Sequence, residues 1–141
     1  MVGTPGKDKI IGSSNDEILA GREGGDILKG GSGSDGFLFQ NPEGFGKKAA
    51  IKIKDYNPDE GDTLLIDKNI FDFGKKINVK TVTGKKASQR ASKSNKDYIF
   101  NEKKGILFFN EDGKNKGWGE GGLFAKLPGV TELGVDDFTI V

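Results

Sequence analysis

Apolar and polar positions keep a nine-residue beat from residue 3 to residue 38. Blocks beginning at Gly3, Gly12, Gly21 and Gly30 read GTPGKDKII, GSSNDEILA, GREGGDILK and GGSGSDGFL. The first position is always Gly. The sixth is always acidic (Asp8, Glu17, Asp26, Asp35), and the eighth is always apolar (Ile10, Leu19, Leu28, Phe37). The fourth is Gly6, Asn15, Gly24 or Gly33, residue types that tolerate positive φ. Six turn-forming residues followed by three strand residues predict a chain that reverses once per repeat. The middle side chain of each strand then points inward. Two reversals close a coil of eighteen residues, so repeats one and three stack on one edge and repeats two and four on the other. Asp8 is then expected over Asp26, and Glu17 over Asp35. Stacked carboxylates repel unless a cation lies between them.

Beyond residue 36 the pattern is strand and turn. FLF (37–39), AAIKIKDY (49–56), TLLI (63–66), INVKTVT (77–83), LFAKL (123–127) and FTIV (138–141) carry β-branched or alternating residues. Residues 97–101 and 106–110 flank a Gly-containing loop and predict a hairpin. Asn57-Pro58-Asp59-Glu60-Gly61 predicts a polar turn, and DKNIF (67–71) one helical turn. No long 3.6-residue period appears. Phe100, Phe108, Phe109, Phe124 and Phe138 are expected in a core.

Composition narrows the chemistry. The 141 residues contain no His and no Cys, which excludes zinc sites of the usual kind, thiol nucleophiles, Ser-His-Asp catalysis and disulfides. The remaining donors are hard oxygens, which favour calcium or magnesium. The 23 Gly explain why apolar residues reach only 33%. The net charge of +1 is uneven. Residues 1–62 hold 8 Lys or Arg against 11 Asp or Glu, and residues 63–141 hold 14 against 10. A cation site is therefore expected in the first half. No apolar run approaches a membrane span. Residues 1–12 carry no apolar core of the secretory-signal kind, so export is expected to use another address.

The repeats resemble the RTX (hemolysin-type) calcium-binding nonapeptide, GGxGxDxUx. The block at 30–38 matches every fixed position. Thr4, Ser13 and Arg22 stand where the second Gly belongs, and Glu17 replaces Asp. The resemblance implies an all-β fold. A short parallel β-roll of RTX repeats over residues 1–38 is followed by a mostly antiparallel β-sheet cap over 39–141, continuous with it. It implies calcium as the cofactor and assigns ligands by position. One ion would use Thr4, Gly6, Asp8, Gly21, Glu23 and Asp26. A second would use Ser13, Asn15, Glu17, Gly30, Ser32 and Asp35. In related secreted proteins an Asp-aromatic strand end and a second Asp seven residues on follow the roll. DYNPDEGD matches this, so a third ion would use Gly31, Gly33, Asp35, Asp55 and Asp62.

The segment from GILFFNEDG through LFAKLPG to DDFTIV is similar to the ends of many bacterial RTX proteins. Together with the repeats, the resemblance covers almost the whole chain. It implies a secreted or cell-surface protein with a C-terminal type I secretion signal at Asp136–Val141, whose partners are calcium ions and the secretion machinery. Phe138, Ile140 and Val141 are expected to bury against the Phe cluster after export. An alternative reading is a surface or matrix polysaccharide-binding module that uses Trp118 or the basic stretch 73–96. That stretch holds eight Lys or Arg and no acid. No aromatic is interleaved with those charges, so a solvated loop is expected rather than nucleic-acid binding. The acids are periodic rather than paired across a cleft, so no enzyme is expected. A monomer is expected.

Overall fold

Each repeat ends in a short strand: β1 Lys9–Ile11, β2 Ile18–Ala20, β3 Ile27–Lys29 and β4 Gly36–Phe39. The structure is a computed structural model that describes residues 1–40, 46, 48–69, 78–84, 98–110 and 122–141. Leu19, Leu28 and Phe37, the middle residues of β2 and β3 and the second of β4, are fully buried, and Ile10 packs against the same cluster. Their neighbours Ile11 and Ile18 face outward and are exposed. Burying each of the three contributes about 1.5–3 kcal/mol. β1 pairs with β3 in parallel, Ile10 opposite Leu28, and β2 pairs with β4 in parallel, Leu19 opposite Phe37. The offset is eighteen residues in both, the coil predicted from the repeat.

The coil continues past residue 38. β5 (Ile51–Ile53) stacks in parallel on β3, with Leu28 opposite Ile53, and β6 (Thr63–Ile66) stacks on β4, with Phe37 opposite Leu64. The remaining strands are β7 (Val79–Val82), β8 (Tyr98–Asn101), β9 (Ile106–Phe109), β10 (Gly122–Lys126) and β11 (Phe138–Ile140). Two sheets result, ordered β1-β3-β5-β10-β9-β8-β7 and β11-β6-β4-β2. The fold is all-β, with no α-helix among the described residues. No helix there is long and apolar enough to cross a membrane.

The expected mostly antiparallel cap is corrected. β8–β9 and β9–β10 are antiparallel, the first being the predicted hairpin. However, β10 joins β5, β11 joins β6 and β7 joins β8 in parallel. The reason lies in the coil. β5 and β6 present bare parallel edges that need partners, and β10 and β11 cover them. A second expectation also fails. β11 is the outer strand of its sheet, so Phe138 is buried while Ile140 and Val141 are 42% and 50% exposed.

Both sheets turn their inner faces to one core. Phe39 meets Phe124 edge-on at 5.1 Å, and Tyr98 lies 4.8 Å from Phe138. Phe100, Phe109 and Phe124 are buried as expected, whereas Phe108 packs beside Val82 and Ile99 in a separate small cluster. The polar turn at 57–61 is a single turn of 3-10 helix, Pro58–Glu60. Asn57 caps it, and Gly61 closes it in the left-handed region at φ 97°. Residues 70 and 71 of DKNIF, Trp118 and most of the basic stretch 73–96 lie outside the described residues.

Candidate metal centre

The four acidic turns stack in two pairs, as the eighteen-residue coil requires. In the first pair, the Asp8 amide donates to Asp26 Oδ1 at 2.8 Å. In the second, the Glu17 amide donates to Asp35 Oδ1 at 3.0 Å, and the Ser32 amide to the Ser13 carbonyl at 3.1 Å. The turn carrying Thr4, Gly6 and Asp8 thus lies on the turn carrying Gly21, Glu23 and Asp26. The turn carrying Ser13, Asn15 and Glu17 lies on that carrying Gly30, Ser32 and Asp35. The repeat's first Gly has a packing reason. The acid at position six curls back over it, so a Cβ at Gly21 would fall on Asp26 Oδ2 and one at Gly30 on Asp35 Oδ2.

Asp55 and Asp62 join the second pair. Asp55 accepts from the amides of Gly30 and Gly31 at 2.9 and 3.0 Å. Asp62 Oδ1 accepts from the Asp35 amide at 2.9 Å, and its Oδ2 from the Asn57 amide at 2.8 Å. The turn bearing Gly31, Gly33 and Asp35 therefore lies against both acids of the DYNPDEGD segment.

The acids differ in how well they are satisfied. Asp26 and Asp35 are 0% and 1% exposed, and Oδ2 of each is buried with no hydrogen-bond partner. An ionised oxygen held out of water without a donor or a cation is costly. Burial pushes the pKa of Asp26 upward, and the charge of Asp8 adds to that push. Burial raises Asp35 as well, with Asp62, Glu17 and Asp55 adding like charge. Asp62 is raised by burial and by Asp55 and Glu60. Glu17 is lowered, because the Ser13 side chain and amide both donate to it.

These directions set the pH response of the metal-free fold. A carboxylate raised in the fold binds more protons folded than unfolded, so its stabilising contribution is complete below the unfolded value of 3.8. That contribution is lost as pH rises through the higher folded value. Glu17 opposes it only below its ordinary value of 4.5. In chelator the melting temperature should therefore be no lower at about pH 5 than at pH 7. Melting curves at the two pH values check this, and a lower value at pH 5 contradicts it.

Among the described residues no three Asp, Glu, His or Cys side chains converge to hold an ion by themselves. A cation at these turns would have to combine one or two carboxylates with backbone carbonyls. Hard oxygens suit such a cation, and the orphaned Asp26 Oδ2 and Asp35 Oδ2 are what it would satisfy.

Sequence reasoning missed three partners. Asp16 Oδ1 accepts from the Ser34 amide at 2.8 Å and ties turn two to turn four. Its signal was an acid beside the periodic one. Ser34 Oγ donates to the Glu60 carbonyl at 2.7 Å. Tyr56 Oη lies 3.3 Å from the Asp62 carbonyl and donates to Asp137 Oδ1 at 2.8 Å, linking the acidic turn to the segment before β11. The last contact spans eighty-one residues and has no local signature. No family model matches the chain, and no curated protein matches it.

Proposed function

We propose that the chain is a calcium-binding module of the RTX (hemolysin-type) kind, whose stacked acidic turns form a short parallel β-roll that folds on calcium binding outside the cell. The observation that carries this reading is the pair of buried, unpartnered oxygens, Asp26 Oδ2 and Asp35 Oδ2, on stacked turns. Calcium accepts mixed carboxylate and carbonyl cages of flexible geometry, which Gly-rich turns can supply. At low calcium the buried acids disfavour the closed roll. At millimolar calcium the ion neutralises them, and its binding free energy becomes folding free energy. Weak sites, on the order of 10⁻⁴–10⁻³ M, suffice for that difference. In this reading Asp136–Val141 is both a strand and part of a type I secretion signal, the protein is secreted or held at the cell surface, and it does no catalysis.

Melting curves in calcium and in magnesium at equal free concentration test the reading. Calcium should raise the melting temperature strongly. Magnesium should do so much less, because it demands a tight octahedron and gives up water reluctantly. Equal shifts by the two ions would sink it.

A further inference from the structure

The turns divide into two kinds, and the second residue of each repeat decides which. In turn one that residue is Thr4, whose amide and Oγ1 both donate to Asp8 Oδ2, at 2.6 and 2.9 Å. In turn two it is Ser13, whose amide donates to Glu17 Oε2 and whose Oγ donates to Glu17 Oε1, both at 2.7 Å. The hydroxyls also accept from the Gly6 and Asn15 amides at 3.3 and 3.2 Å, which braces each turn. In turns three and four the second residue is Arg22 or Gly31, in the left-handed region at φ 77° and 108°. Neither offers a hydroxyl, and the Gly31 amide goes to Asp55 instead. Asp26 and Asp35 each receive the amide of the stacked turn on one oxygen, while the other is left buried and unpartnered.

A hydroxyl and an amide aimed at a carboxylate supply the positive potential that a cation would otherwise supply. Glu17 has a use here that an Asp lacks. Its extra methylene lets the two oxygens reach the two Ser13 donors separately. We propose that Thr4 and Ser13 stand in for bound ions, so that calcium takes its side-chain ligands from turns three and four, where Asp26 Oδ2 and Asp35 Oδ2 lack partners, and not from Asp8 or Glu17. This rests on the calcium reading and narrows it. Turns one and two close without metal, and turns three and four need it.

The test is calcium uptake by the full chain, measured by calorimetry, together with melting in chelator. The double variant Asp8→Asn/Glu17→Gln should take up as many ions as the unaltered protein, with an unchanged midpoint. Asp26→Asn and Asp35→Asn should each lose an ion or raise the midpoint about tenfold or more. Thr4→Gly/Ser13→Gly should lower the melting temperature in chelator, whereas Thr4→Ser/Ser13→Thr, which keeps both hydroxyls, should not. Loss of an ion in Asp8→Asn/Glu17→Gln would overturn this inference and leave the calcium reading standing. An unaltered protein that takes up no calcium at all would overturn both.

Discussion

Asp35→Asn should move the stability of the chain in opposite directions with and without calcium. Asp35 is 1% exposed, and its Oδ2 has no partner. Without metal the fold carries the cost of that desolvated charge, together with repulsion from Asp62, Glu17 and Asp55. An amide of the same shape keeps an oxygen for the Glu17 amide and removes the charge. The chelated variant should therefore melt at the same temperature or higher, because the charge and its repulsion are gone. In calcium the variant loses an anionic ligand of the proposed site. Its calcium midpoint should rise about tenfold or more, at least about 1.4 kcal/mol of binding free energy. Asp8→Asn should do neither, because Asp8 is satisfied by Thr4. Urea melts of both variants in calcium and in chelator give all four comparisons. Equal destabilisation of Asp35→Asn in both conditions would mean that the side chain is structural only.

Phe138→Ala should be among the most damaging single changes at the C-terminal end. Phe138 is 8% exposed, lies 4.8 Å from the Tyr98 ring and sits opposite Leu64 in the β11–β6 ladder. Truncating a buried Phe typically costs about 3–5 kcal/mol. Ile140→Ala, at a 42% exposed position, should cost far less. Deleting residues 137–141 removes more. It uncovers the edge of β6 and removes the Tyr56–Asp137 bond that joins this segment to the acidic turn. The truncated chain should lose thermal stability in calcium, and under the proposed secretion role it should also leave a type I host poorly. Normal export of the truncated chain would remove the signal role, whereas a Phe138→Ala melt unchanged from the parent would contradict the packing.

The coil was legible because its signal is local and repeated. A single Gly-acid-apolar period set the stacking distance, the inward residues Leu19, Leu28 and Phe37, and the acid pairs. The hairpin at 98–109 was legible for the same reason, since two alternating runs flank one short loop. The parallel partners of β5 and β6 were not. Ala125 finds Ile51, and Phe138 finds Leu64, across more than seventy residues, and nothing near either strand announces the other. The acid register was readable, but the state of each acid was not. In the repeat, Thr4 and Ser13 simply stand where the second Gly belongs. Only the geometry shows their hydroxyls turned onto Asp8 and Glu17. Asp26 and Asp35 hold the same repeat position as those acids, yet Arg22 and Gly31, with left-handed backbone and no hydroxyl, leave them without that help.

Calorimetric titration of the metal-free full chain with calcium, followed at each step by far-ultraviolet circular dichroism, bears most directly on the central claim. The account predicts saturable uptake with a midpoint on the order of 10⁻⁴–10⁻³ M and a concurrent gain of β signal. No heat of binding and an unchanged spectrum at about ten times that concentration would contradict it.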